Sequence, residues 1–106
     1  MKADLKDIES VAKLAALLWE DNSVSDLIND FSELIAKGKV QFFLKYENNI
    51  PVGFAQCQLR YDYVEGTETT PVGYLEGIFV KKDYRNKGIA KELLAECEEW
   101  AKSNGS

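Results

Sequence analysis

The residues best suited to chemistry stand in one short stretch, Arg85-Asn86-Lys87-Gly88-Ile89-Ala90, which follows the basic turn Lys81-Lys82-Asp83-Tyr84 and opens an apolar-periodic segment. Such a stretch can bind an anion. The first amides of a helix have no intrahelical acceptor, the helix dipole adds positive potential at that end, and a glycine there lets a pyrophosphate approach the main chain closely. Arg85 and Lys87 would add fixed charge. The Gly-Lys-Ser/Thr ending of a Walker loop is absent, so this is not a Walker motif. Spacing alone leaves a second reading equally open, in which Gly88 only shortens a turn and the lysines form a solvated face.

Periodicity gives the elements that must position this stretch. Val72 to Val80 reads as the strand that feeds it. From Gly88, the residues Ile89, Ala90, Leu93, Leu94, Cys97, Trp100 and Ala101 give a helix one broad apolar face, ending near Asn104-Gly105. Upstream, Ile8, Val11, Ala12, Ala15, Leu18 and Trp19 predict a helix over 7–20, with Asp7 as N-cap or first-turn acid. Leu27, Phe31, Leu34 and Ile35 predict a second over 25–37, stopped by a left-handed Gly38. Asp21-Asn22-Ser23 is the turn between them. Val40 to Tyr46 and Val52 to Tyr61, joined through Glu47-Asn48-Asn49, read as a hairpin whose second strand starts at Pro51. Asp62 to Pro71, with Gly66 and Thr67, Thr69 and Thr70, is a loop long enough to serve binding. The order α-α-β-β-β-α predicts one α+β domain over 1–106, a mostly antiparallel central sheet with flanking helices.

A chain of 106 residues buries a modest core. Its net charge of -5 argues against nucleic acid, whose readers need a basic face, and favours a cationic partner. Cys57 and Cys97 lie in apolar stretches and histidine is absent, so neither a zinc site nor a disulfide framework is expected, only buried reduced thiols. No apolar run is long enough to cross a bilayer, and Met1-Lys2-Ala3-Asp4 lacks the core of a signal peptide; no membrane partner and a cytoplasmic location are expected.

A strand followed by Arg85-x-x-Gly88-x-Ala90 at the start of an amphipathic helix resembles the acetyl-CoA motif of the GNAT superfamily of N-acetyltransferases. The order of two helices, a hairpin and the motif strand resembles that superfamily's first half over nearly the whole chain. The resemblance implies acetyl-CoA as cosubstrate, with its pyrophosphate on the amides of Arg85, Asn86, Lys87, Gly88, Ile89 and Ala90 and with Lys91 beside them. It also implies that Ile78 and Val80, flanking Phe79, pair through their backbone with the pantetheine arm.

Arg60-Tyr61-Asp62-Tyr63-Val64-Glu65-Gly66-Thr67-Glu68-Thr69, running into Pro71-Val72-Gly73-Tyr74-Leu75-Glu76-Gly77, is similar more narrowly to bacterial aminoglycoside 6'-N-acetyltransferases. An acceptor of that class is a polycationic amine, which carboxylates and aromatic edges suit. Asp62, Glu65 and Glu68 beside Tyr61 and Tyr63 offer both, and Trp19, Glu20 and Asp21 would form the opposite wall. A solvated acidic loop and a core Trp19 fit these residues as well. Amine acetylation needs a neutral nitrogen held near the thioester. Glu76 is the expected base, because it lies two residues before Ile78 and Gly77 permits a bulge that turns it toward the cleft. A Glu76 that faces solvent, or that only binds the acceptor's charge, is the competing reading. A strand amide near Ile78 would polarise the carbonyl.

The family pattern is incomplete at both ends of this sequence. Its first strand is missing or cut short before the first helix, and its later strands, helix and leaving-group tyrosine would lie past Ser106. The motif strand would then keep an unpaired edge, so a homodimer, a domain-swapped oligomer or a fragment without robust catalysis is expected. A non-catalytic CoA-binding or dimerisation module, and an enzyme for another small amine, are the alternatives.

Overall fold

Two asparagines fix the register of the central sheet. Asn48 and Asn49 both take left-handed backbone, with φ of 51° and 64°, the paired conformation of a two-residue type I′ turn, which asparagine tolerates better than most residues. The strands they join are β2 (Val40–Glu47) and β3 (Ile50–Tyr61). In this computed structural model, which describes residues 1–38, 40–61 and 71–105, these strands form the middle of a four-stranded antiparallel sheet. Its edges are β1 (Lys2–Ala3) and β4 (Pro71–Val80), in the order β1-β2-β3-β4. β1 is a two-residue ladder of Lys2 and Ala3 against Phe43 and Phe42, so a strand does precede the first helix.

Strand alternation sends side chains to opposite faces, and each face acquires a core. Phe42, Leu44 and Phe54 pack under α1 (Ile8–Leu18) and α2 (Val24–Lys37). Phe43, Val52, Ala55, Cys57 and Val80 pack under Ile89, Leu93 and Cys97 of α3 (Ile89–Ser103). The helix ends follow local chemistry. The Ser23 hydroxyl accepts a hydrogen bond from the Asp26 amide at 3.1 Å and caps α2, and Gly38, with φ of 77°, stops it. α1 ends at Leu18, so Trp19 is its C-cap residue, not part of its last turn. Asp7 is the N-cap residue of α1, as expected, but its carboxylate makes no cap bond to that helix and accepts from the Asp4 amide at 3.0 Å.

One expectation fails in this second core. Cys57 and Cys97 are buried, as expected, but they are joined in a disulfide, with Cα atoms 5.9 Å apart. Each cysteine lies on the inward face of its own element. They stand 40 positions apart, and nothing in the sequence says that β3 and α3 are layered face to face.

Candidate active site

The site begins with an irregularity in β4. Gln56 of β3 stands opposite Gly77, but the next residue, Cys57, stands opposite Leu75, so Glu76 is an extra residue with no partner across the ladder. The bulge resets the alternation. It keeps Phe79 packed on the α1–α2 core and puts Ile78 and Val80 on the α3 side. Gly77 is required here by a neighbour, since a Cβ at that position would lie 2.7 Å from Cζ2 and Cη2 of Trp19. Trp19 does two jobs: its ring meets Phe31 and Phe54 edge-on at 6.5 and 6.0 Å in the core, and its far edge lies on the strand beside Glu76. Glu20 and Asp21 follow it on the surface, lining a shallow cavity of about 340 Å³ with Leu18, Trp19 and Asn22.

Glu76 carries the short contact of the site. Its Oε1 accepts a hydrogen bond from Arg60 Nη2 at 2.6 Å, and the Arg60 guanidinium lies 4.3 Å from the centre of the Tyr74 ring. Sequence reasoning missed this pairing. Arg60 stands opposite Val72 in the ladder, four positions before Glu76, and the bulge between them is not legible as a register.

β4 hands the chain to the mouth of α3. The Lys81 amide donates to the Val52 carbonyl at 2.8 Å, so the Lys81 main chain faces β3. By antiparallel alternation Phe79 and Gly77 face β3 as well, while Ile78 and Val80 turn their amides and carbonyls outward, where no described strand lies. Arg85 agrees with this geometry: its Nε donates to the Val80 carbonyl at 2.8 Å from outside the sheet, and its guanidinium lies 5.6 Å from the Phe79 ring. Arg85 thus also holds the strand end, and the Phe79 side chain packs on the α1–α2 core.

Past a single turn at Lys82–Tyr84, Asn86 and Gly88 both adopt left-handed backbone, with φ of 66° and 82°. The first α3 hydrogen bond runs from the Glu92 amide to the Gly88 carbonyl at 3.0 Å. The amides of Ile89, Ala90 and Lys91 therefore have no intrahelical acceptor, and Gly88 has no side chain to cap them. A Cβ on Gly88 would meet nothing within 4 Å, so the mouth is open. The side chain of Ile89 is buried, whereas those of Ala90 and Lys91 face solvent. The acid of the first turn, Glu92, is drawn away by Lys45 of β2, whose Nζ lies 3.1 Å from its carboxylate. That hydrogen bond, and then the charge of Glu92, raise the Lys45 pKa. Lys87 extends over the Tyr84 ring at 5.4 Å. Of the acceptor residues expected from sequence, Tyr63 and Glu65, with Asp62 and Glu68, lie outside the described residues.

A strand edge with outward amides, a bulged carboxylate and an open helix mouth thus stand along β4 and its exit into α3. Residues 9–106 match the acetyltransferase (GNAT) family, and the chain belongs to that family. It is 37% identical over 101 residues to an aminoglycoside N(6')-acetyltransferase type 1 of Acinetobacter haemolyticus, covering 95% of this chain and 67% of that one. Against the enzyme of the same name from Serratia marcescens the identity is 35% over 103 residues, with 96% and 70% covered. With the Salmonella typhimurium enzyme it is 33% over 88 residues, with 83% and 61% covered. Among solved structures, aminoglycoside N-acetyltransferase AAC(6')-Iy in complex with CoA superposes with a TM-score of 0.87 at 30% identity, over 98% of this chain and 68% of that one. The same enzyme with the bisubstrate analogue CoA-S-monomethyl-acetylneamine gives 0.85 at 29%, over 97% and 70%. The chain thus spans 61–70% of the length of these relatives. Acetyl-CoA is the cosubstrate of the family, and the residues present fit it: the open left-handed Gly88, the three uncapped amides and the outward edge at Ile78 and Val80 suit a pyrophosphate and an amide-bearing arm. No helix among the described residues is long and apolar enough to cross a membrane.

Proposed function

We propose that this chain acetylates the 6'-amine of an aminoglycoside with acetyl-CoA as donor. The observation that carries the proposal is the placement of Glu76 on a bulge, two residues from the outward main chain of Ile78 and on the same sheet end as the α3 mouth. The cosubstrate supplies an activated thioester carbonyl. The amides of Gly88, Ile89, Ala90 and Lys91, with Asn86, Lys87 and the remaining donors of Arg85, hold its pyrophosphate. The edge at Ile78 and Val80 aligns its arm, and the Ile78 amide would donate to the carbonyl oxygen as charge develops there. Glu76 takes the proton of the acceptor ammonium, which leaves a neutral nitrogen positioned for attack. Trp19, Glu20 and Asp21 form one wall of the acceptor groove, and Tyr63 and Glu65 are assigned to the other.

Two further parts of the reading concern assembly and place. A homodimer is supported by the long edge of β4 and by the exposed apolar side chains of Val72, Leu75 and Leu94 beside it, at 40%, 44% and 40% exposure. A cytoplasmic location suits an acetyl-CoA-dependent enzyme. The Cys57–Cys97 bond stands against it, because disulfides persist mainly in oxidising compartments. Alkylation of protein trapped from intact cells decides this, with two modified thiols per chain for the cytoplasm and none for an oxidising compartment.

A second reading is a CoA-binding module without turnover, for which the open mouth at Gly88 would suffice. Calorimetric titration with acetyl-CoA, followed by a thiol-release assay with kanamycin, separates the two. Binding with turnover supports the enzyme, binding without turnover supports the module, and no binding contradicts both.

A further inference from the structure

A cation at the centre of a site for cations needs a reason. Arg60 makes the shortest ion pair among the described residues, 2.6 Å to Glu76 Oε1, on the carboxylate assigned to the acceptor amine. Its side chain is 48% exposed and that of Glu76 is 26% exposed, so the guanidinium covers part of the carboxylate from solvent. Arg60 also has a second hold, the Tyr74 ring at 4.3 Å, so it keeps a partner when the carboxylate is taken away.

We propose that Arg60 is a built-in competitor that occupies the amine subsite of Glu76 and is displaced when a polycationic acceptor binds. The proposal rests on the reading of Glu76 as an acceptor-facing carboxylate. The guanidinium neutralises and covers the carboxylate, so an ammonium that approaches Oε1 meets a like charge and gains the full pair only by pushing Arg60 aside. Exchanging one half-exposed ion pair for another costs little, because such pairs contribute little each. A polycation gains further contacts at Glu20 and Asp21 that Arg60 cannot reproduce without leaving its strand. A stray single cation has only the one pair to exchange, and Arg60 already fills it. Arg60 therefore raises the threshold for binding instead of contributing to it.

This makes the sign of its removal distinctive. A residue that only supports the site weakens binding when deleted, whereas a competitor strengthens it. The experiment is calorimetric titration of kanamycin into the wild-type chain, R60A, E76Q and the double variant R60A/E76Q, with R60Q as a second substitution that keeps a polar side chain at the strand end. Competition predicts that R60A and R60Q bind kanamycin roughly three- to fivefold tighter than wild type. It also predicts that E76Q weakens binding and that R60A adds nothing in the E76Q background. Equal tightening in both backgrounds would mean a general charge effect and would overturn the competitor role. Unchanged or weaker binding by R60A and R60Q would overturn it too, while leaving the acceptor reading standing if wild type binds and E76Q does not. Absence of binding in all five proteins would overturn the acceptor reading and the competitor together.

Discussion

The two halves of the site are made of different material. At the mouth of α3 the working groups are main-chain amides, held by two left-handed residues, Asn86 and Gly88, and by an open space where a side chain would stand. At the bulge they are side chains, Glu76 held by Arg60 and Trp19 lying on Gly77. A main-chain site depends on backbone angles and tolerates little; a side-chain site depends on register and charge, and substitution can tune it. The first is therefore local in sequence and the second is assembled from three elements.

Gly88→Asp should break this contrast at its strongest point. It forces a side chain into left-handed backbone, which costs roughly 1–2 kcal/mol, and sets a negative charge at the site proposed for the pyrophosphate. Affinity for acetyl-CoA should fall by roughly 1000-fold in calorimetry, while kanamycin binding stays unchanged. Gly88→Ala sharpens the comparison, because a Cβ there meets nothing within 4 Å. Its cost should be conformational alone, again roughly 1–2 kcal/mol of stability, read as a lower urea midpoint.

Gly77→Ala is the converse test. The new methyl would lie 2.7 Å from the Trp19 ring, and displacing that ring from the core should cost about 1–3 kcal/mol. Here kanamycin binding should weaken while acetyl-CoA affinity holds.

The smallest effect expected is at Lys45. Its pKa is raised above 10.5 by Glu92, so the stabilising contribution is present below the lysine's unfolded pKa and is lost as pH rises through the higher folded value. E92Q should lower the melting temperature slightly at neutral pH, and the difference from wild type should vanish once the pH exceeds the folded pKa of Lys45.

The sequence shows the mouth plainly because all its parts lie within residues 81–91. The helices and the hairpin are legible for the same reason: apolar spacing, a serine cap, Gly38 and paired asparagines are local signals. The bulge was expected from Gly77, but its partner Arg60 was not, since a one-residue slip moves every cross-strand neighbour. The Cys57–Cys97 bond was hidden likewise, in the layering of β3 and α3. Trp19 could be read as either core or wall; its ring packs on Phe31 and Phe54 and its far edge lies on Gly77, because the helix stops one residue before it.

The central claim is that the two halves act on one reaction, and thiol release from acetyl-CoA with kanamycin as acceptor tests it most directly when wild type and E76Q are compared at matched cosubstrate occupancy. The account predicts that E76Q binds acetyl-CoA as wild type does and turns over about 100- to 10,000-fold more slowly. Turnover by E76Q equal to that of an active wild type would contradict it.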